Sequence, residues 1–364
     1  MRCEWGDLIT LEYGKPVSDK GNLNGKYPVF GTNGQIGTSN LPPLCSHPSF
    51  VIGRKGAYRG VHYSDVPFSV IDTAFYVENR SPDLLDMKWA YYKFLTYDIN
   101  HMDSGSAIPS TDRYEIYSIE MDLPPINVQK KIAAILSALD EKIAINREIN
   151  DNLLTQAQAL FTQRFITDDI EGNEKPLYDF ADYINGAAFK PSECGEHGLP
   201  IIKIVELKNG ITDSTKYFDG FKGEKYLIQD KDILFSWSGN PDTSIDIFIW
   251  THGRAILNQH TFNVKSNTGH RWFTFLMLKH FKPEFSRIAS NKQTTGLGHV
   301  TANDLKGLTF IFNETAIETF EQEISPFMET IYSNMIENQR LELLRDSLLP
   351  KLMSGEIDVS AVQL

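Results

Sequence analysis

Cysteine is scarce in this chain: Cys3, Cys45 and Cys194 are the only three in 364 residues. They are far apart, odd in number and outside any CxxC spacing, which argues against a disulfide framework and a zinc site and reads them as reduced thiols. Long apolar runs are missing too. No stretch approaches the roughly 18 residues that cross a bilayer. The first residues, Met1-Arg2-Cys3-Glu4-Trp5-Gly6-Asp7, hold no hydrophobic signal core, so no membrane association and a cytoplasmic location are expected.

Positive charge is in deficit, with 35 Lys and Arg against 47 Asp and Glu and a net charge of −12. Such a balance counts against nucleic-acid binding, whose affinity comes largely from Lys and Arg neutralising phosphates. The deficit is unevenly spread. Residues 313–364 hold three basic side chains (Arg340, Arg345, Lys351) and ten acidic ones, contributing −7 and leaving −5 for the other 312 residues. Nearly balanced globular parts can still present a basic face.

Catalytic signatures are also lacking. Pro82-Asp83 with Asp86-Met87-Lys88 imitates the PD…DxK pattern of metal-dependent nucleases. Here, however, the carboxylates share the first turns of one predicted helix, capped by Ser81 with Pro82 at its first position. Gly239-Asn240-Pro241-Asp242 resembles the Asn/Asp-Pro-Pro-aromatic loop of amino methyltransferases, but the second proline and the aromatic are missing, so a turn is expected. No Walker A or complete dinucleotide motif is present, and the histidines form no paired ligand pattern, so no metal is expected.

What the chain does contain is a repeat. Ile132, Leu136, Leu139, Ile143, Asn146, Asn150, Leu153, Ala157 and Leu160 follow alternating steps of four and three, the seam spacing of a coiled coil. A shift of 188 residues lands on Phe320, Ile324, Phe327, Ile331, Asn334, Asn338, Leu341, Arg345 and Leu348. Asn at a seam costs stability unless it meets a polar partner, and both Asn pairs lie near mid-seam. This predicts two long helices, over about 128–165 and 315–349, packed antiparallel, with Pro326 expected to kink the second or mark a new start.

The segments before the helices match in order. Val51-Ile52-Gly53-Arg54-Lys55-Gly56 corresponds to Leu234-Phe235-Ser236-Trp237-Ser238-Gly239, each a strand entering a glycine turn. Strand-like runs over 70–77 and 257–264 follow, then aromatic helices around Trp89 and Trp272, then small-residue loops. Each half therefore reads as a mixed α/β globule followed by one long helix, an α+β architecture. The loops join cations, amides and aromatics near glycines, a mixture suited to base edges and phosphates. The candidates are Arg54, Lys55, Tyr58, Arg59, Ser104 and Ser106 in the first half. In the second they are Trp237, Ser238, Asn240, Gln259, His260, Lys292, Gln293 and Thr294.

Two helical phrases carry a family resemblance. Leu123-Pro124-Pro125-Ile126-Asn127-Val128-Gln129-Lys130-Lys131-Ile132-Ala133 resembles the first shared helical region of type I restriction specificity subunits. Asn338-Gln339-Arg340-Leu341 with the stretch from Leu344-Arg345-Asp346-Ser347-Leu348-Leu349-Pro350-Lys351 to Gly355-Glu356-Ile357 resembles the region that ends them. Val70-Ile71-Asp72-Thr73-Ala74-Phe75 and Gly105-Ser106-Ala107-Ile108-Pro109-Ser110 also look like phrases of the family's recognition domains.

The resemblance implies two target-recognition domains (1–124 and 168–312) and two helical spacers (125–167 and 313–364) in a pseudo-twofold molecule that reads a bipartite site in double-stranded DNA. It implies two modification subunits performing adenine-N6 methylation and a separate restriction/translocase subunit. S-adenosylmethionine, ATP and Mg would belong to those partners, with no cofactor and no catalytic residue in this chain. The rival readings are a coiled-coil protein adaptor, which the net negative charge favours, and a solitary adenine methyltransferase.

Overall fold

Two units divide the chain: Met1–Ile143 with Arg340–Leu364, and Ala144–Gln339. The computed structural model describes residues 1–22, 24–102, 109–167, 171–293 and 297–362. The division falls inside both long helices, Ile126–Phe165 and Glu314–Ser354, so each unit holds one globular part and a segment of each helix.

In the first unit, the run Ser49–Gly53 is buried throughout, as a strand covered on both faces must be. It sits inside an antiparallel sheet ordered Ile9–Tyr13, Ala74–Asn79, Ser49–Gly53, Val61–Ser64. A smaller sheet is ordered Gly34–Ser39, Tyr27–Gly31, Ser69–Val70, its last pair parallel. The expected single strand over 70–77 is thus two strands in different sheets.

The second unit repeats this plan. Ala181–Asn185, Thr261–Ser266, Ile233–Ser236 and Asp246–Ile249 form an antiparallel sheet in that order. A second sheet runs Tyr217–Phe218, Leu199–Ile202, Ala255–Leu257, Leu227–Ile228, again with a parallel pair, Leu199–Ile202 beside Ala255–Leu257. The expected run over 257–264 likewise breaks, at Asn258-Gln259-His260. The repeat therefore extends from seam spacing to sheet topology.

The first aromatic helix begins later than its sequence suggests, at Met87–Phe94, and Asp86 rather than Ser81 caps it by accepting the Trp89 N–H at 2.8 Å. A carboxylate at the positive end of the helix is a stronger acceptor than a hydroxyl. The Ser81 carbonyl instead closes a turn with the N–H groups of Leu84 and Leu85. Lys88 pairs with Asp65 at 3.1 Å, so the nuclease-like phrase consists of a cap and a surface ion pair.

Within each unit the two long helices pack antiparallel. In the first, Ile132, Leu136 and Ile143 are buried with Leu139 and Leu341 half-buried, and Arg345 donates to Asp140 at 2.9 Å. The Tyr92 hydroxyl also donates to Asp140, at 2.6 Å, tying the globular part of the unit to its helix. In the second unit, Asn146 Nδ2 donates to Asn338 Oδ1 at 2.9 Å and to Glu337 at 2.7 Å, and Asn334 Nδ2 donates to Asn150 Oδ1 at 2.9 Å. Leu153 is half-buried there. Ile324 and Ile331 are buried, and Met328 joins them while Phe327 is only half-buried, a four-residue step that the seam reading missed. The helix runs through Pro326 without a new start.

Asn146→Leu removes the amide that Asn338 accepts from in a buried setting, and is expected to lower stability by about 1–3 kcal/mol. The double variant Asn146→Leu/Asn338→Leu should recover part of that loss, because the Asn338 amide goes too, while Glu337 still loses the donor it had in Asn146. Chemical denaturation of the three variants checks both expectations.

Candidate nucleic-acid interface

The strand Ser49–Gly53 delivers the chain into the loop 54–60, whose backbone is held from several sides. Thr73 O accepts the N–H groups of Arg54 and Lys55 at 2.9 and 3.0 Å, Thr111 N–H donates to Arg54 O at 2.8 Å, and Gly56 N–H donates to Pro109 O at 3.0 Å. Thr32 Oγ1 donates to Lys55 O at 2.8 Å. Gly53 is needed where the loop crosses itself, since a Cβ there would lie 2.7 Å from Thr32 O and 2.9 Å from Arg59 Cα.

This pinned loop exposes Lys55 and Tyr58, the latter 69% accessible. Arg54 lies half-buried over the Tyr13 and Phe75 rings, 5.0 and 5.8 Å from their centres, with Nη2 donating to Asp72 O at 2.6 Å. Arg113 approaches the same Tyr13 ring at 5.3 Å and the exposed Tyr114 ring at 5.0 Å. Tyr13, Arg113 and Tyr114 thus belong to this cluster. The sequence reading missed them because they are distant from Arg54 along the chain, although the Arg113-Tyr114 doublet carried the same cation-and-aromatic signature. The cluster gathers positive charge locally in an acidic protein.

Arg59 stands apart from this surface. It is 2% exposed, its Nη2 donates to Asn100 O at 2.6 Å, and its backbone N–H donates to Asn100 Oδ1 at 2.7 Å. The structure places it beneath the loop as a brace, because the crossing at Gly53 turns residue 59 inward. Ser104 and Ser106 lie outside the described residues.

In the second unit, Trp237, Gln259 and His260 come together. The Trp237 ring stacks on Phe262 at 5.6 Å and lies 5.8 Å from His260, and its Nε1 donates to Asn185 Oδ1 at 3.1 Å. Gln259 Nε2 and His260 Nε2 are 3.1 Å apart. Ser238 pairs through its backbone with His299, and Gly239 with Gly298. Asn240 is exposed, but its Oδ1 accepts the N–H groups of Asp242 and Thr243 at 3.0 and 3.1 Å, making the expected turn.

Lys292 is committed to Asp304, Nζ to Oδ1 at 2.6 Å, and Asp304 also accepts the Thr301 N–H at the start of the helix Ala302–Gly307. Its charge is therefore matched within the fold. Gln293 is exposed, and Thr294 lies outside the described residues. No described helix is long and apolar enough to cross a membrane.

A family model described as the type I restriction modification DNA specificity domain matches residues 3–155 and 170–345. The type I restriction enzyme MjaIX specificity subunit of Methanocaldococcus jannaschii is 24% identical, the match covering 75% of this chain and 69% of that one. The HindI specificity subunit of Haemophilus influenzae is 22% identical, with 66% and 70% covered. Among solved structures, the S subunit of the type I restriction-modification system of M. genitalium superposes with a TM-score of 0.60 at 17% identity, covering 97% of this chain and 96% of that one.

Proposed function

The chain belongs to the type I restriction-modification DNA specificity family, and from that premise we propose that it is a non-catalytic subunit reading a bipartite DNA site, one half-site per unit. The observation that carries this reading is the repeated plan. In each unit the same strand of the same four-stranded sheet, Ser49–Gly53 or Ile233–Ser236, ends in a loop bearing cations, amides or aromatics. Phosphate contacts would orient each unit, while base-edge contacts choose the sequence. The helices serve as the spacer between half-sites, as dimer geometry does in other readers.

Two modification subunits would supply S-adenosylmethionine-dependent adenine-N6 methylation, and a restriction subunit ATP- and Mg-dependent translocation and cleavage. The long helices offer surfaces for such partners. Ile145 and Ile149, one turn apart, are 52% and 40% exposed in the second unit, and Leu343 and Leu344 are exposed in the first. Exposed large apolar side chains on an ordered helix suit a protein partner. Ile145→Ser/Ile149→Ser is expected to weaken association with the modification subunit at least roughly tenfold, as loss of interface anchors does, with the thermal midpoint unchanged. Co-purification and calorimetry check this.

The decisive test is methylation mapping in a host without other methyltransferases, with the modification subunit expressed with and without this chain. A bipartite methylated motif that appears only with the chain supports the reading. No new motif, with both proteins folded and associated, would favour the coiled-coil adaptor instead.

A further inference from the structure

Cys45, His47 and Glu78 of the first unit bring three ligand-type side chains together, their donor atoms all within 4.8 Å of one another. Cys45 Sγ lies 3.7 Å from His47 Nε2, and His47 Nε2 lies 3.2 Å from Glu78 Oε2. A tetrahedral zinc ion with Zn–S of about 2.3 Å and Zn–N and Zn–O of about 2.0–2.1 Å has S···N and N···O edges of about 3.6 and 3.3 Å. Both observed separations are within tenths of an ångström of these edges.

The scaffold around the three groups is ordered. Cys45 and Phe68 exchange both backbone hydrogen bonds at 3.0 Å, which fixes the buried thiol, and Glu78 lies in the strand Ala74–Asn79 opposite Thr10. His47 and Glu78 are each partly exposed, so an ion could reach them from solvent and a water could complete its coordination. The sequence hid the arrangement because a Cys-x-His step with a carboxylate 31 residues beyond the histidine matches no common zinc spacing.

We propose that Cys45, His47 and Glu78 form a binding site for one divalent transition-metal ion, with zinc the best match to a thiolate, an imidazole and a carboxylate. On binding, the aqua ion gives up all but one of its waters as it takes sulfur, nitrogen and oxygen, and the thiol proton passes to solvent. The metal clips the segment 45–47 to the strand Ala74–Asn79, stiffening the first recognition globule from within. This inference is independent of which DNA sequence the chain reads.

The test uses the full chain bound to its modification subunit, stripped with chelator and titrated with Co²⁺ as an optical reporter and then with Zn²⁺. The expected result is a thiolate-to-cobalt charge-transfer band that saturates at one equivalent, is displaced by Zn²⁺, and is absent in Cys45→Ser. His47→Ala and Glu78→Gln alter partly exposed positions. They are expected to stay folded by circular dichroism and to weaken Co²⁺ binding by more than the roughly 10–100-fold that outer-shell changes cost. Zn²⁺ should raise the thermal midpoint of the wild type and not of these two variants. A wild-type complex with no thiolate band at millimolar Co²⁺ would overturn the proposal, leaving a His47–Glu78 pair beside a buried thiol. So would a band that persists undiminished in both His47→Ala and Glu78→Gln, since neither side chain would then be a ligand.

Discussion

Phe161→Ala is expected to destabilise the second unit by about 3–5 kcal/mol, the range for truncating a buried aromatic. Phe161 is 1% exposed and lies within 5.7 to 5.9 Å, ring centre to ring centre, of Phe273, Phe310 and Phe320. Those rings come from the aromatic helix Arg271–His280, the strand Thr309–Phe312 and the second long helix. One side chain of the first long helix thus anchors the second recognition globule to both helices. Its removal leaves a cavity lined by groups from separate elements, which cannot collapse without moving one of them. Phe161→Leu keeps most of the apolar volume and should cost clearly less. Denaturant unfolding of both variants measures the difference, and methylation of the bipartite site should fail near the growth temperature while returning at a lower one. A Phe161→Ala midpoint equal to the wild type would show that this ring cluster does not hold the unit together.

The helices and their antiparallel pairing were legible because a seam is a local, periodic signal and because Asn pairs at seam positions constrain their partners. The doubling of the chain was legible for the same reason. Sheet order was not. At residues 71–73 and again at 258–260 the chain passes from one sheet to another, and nothing in those three-residue stretches distinguishes a sheet switch from a continuous strand. Side-chain direction within loops was the other blind spot. Arg54, Lys55, Tyr58 and Arg59 look alike as a polar loop, yet the crossing at Gly53 turns Arg59 into the protein, while Lys55 and Tyr58 face solvent. Lys292 reads as a free cation until Asp304, twelve residues on, is seen to hold it. Tyr13 and Arg113 joined the cluster only through folding. Partners separated by many residues leave no local signature.

The loop 54–60 then gives a second large effect that separates contact from support. Lys55→Ala is expected to weaken binding of the assembled complex to its cognate DNA and to a scrambled duplex alike, and to lower the slope of log affinity against log salt by about one, as loss of one phosphate contact does. Arg113→Ala, which removes a guanidinium from beside Tyr13, should cost about 1–3 kcal/mol on cognate DNA if that group reads a base edge, relaxing the sequence preference at one position. Together the two substitutions should weaken cognate binding on the order of a hundredfold, since effects at side chains without shared partners add. Neither should move the thermal midpoint by more than surface substitutions usually do. Arg59→Ala reverses this pattern. Taking away a buried guanidinium that holds Asn100 should lower stability, and DNA affinity should fall only to the extent that the loop loses its brace. Fluorescence anisotropy at several salt concentrations, paired with thermal unfolding of the same samples, distinguishes the two classes. Unchanged cognate affinity in the Lys55→Ala/Arg113→Ala variant would move the first half-site's contacts off this cluster and onto another loop of the unit.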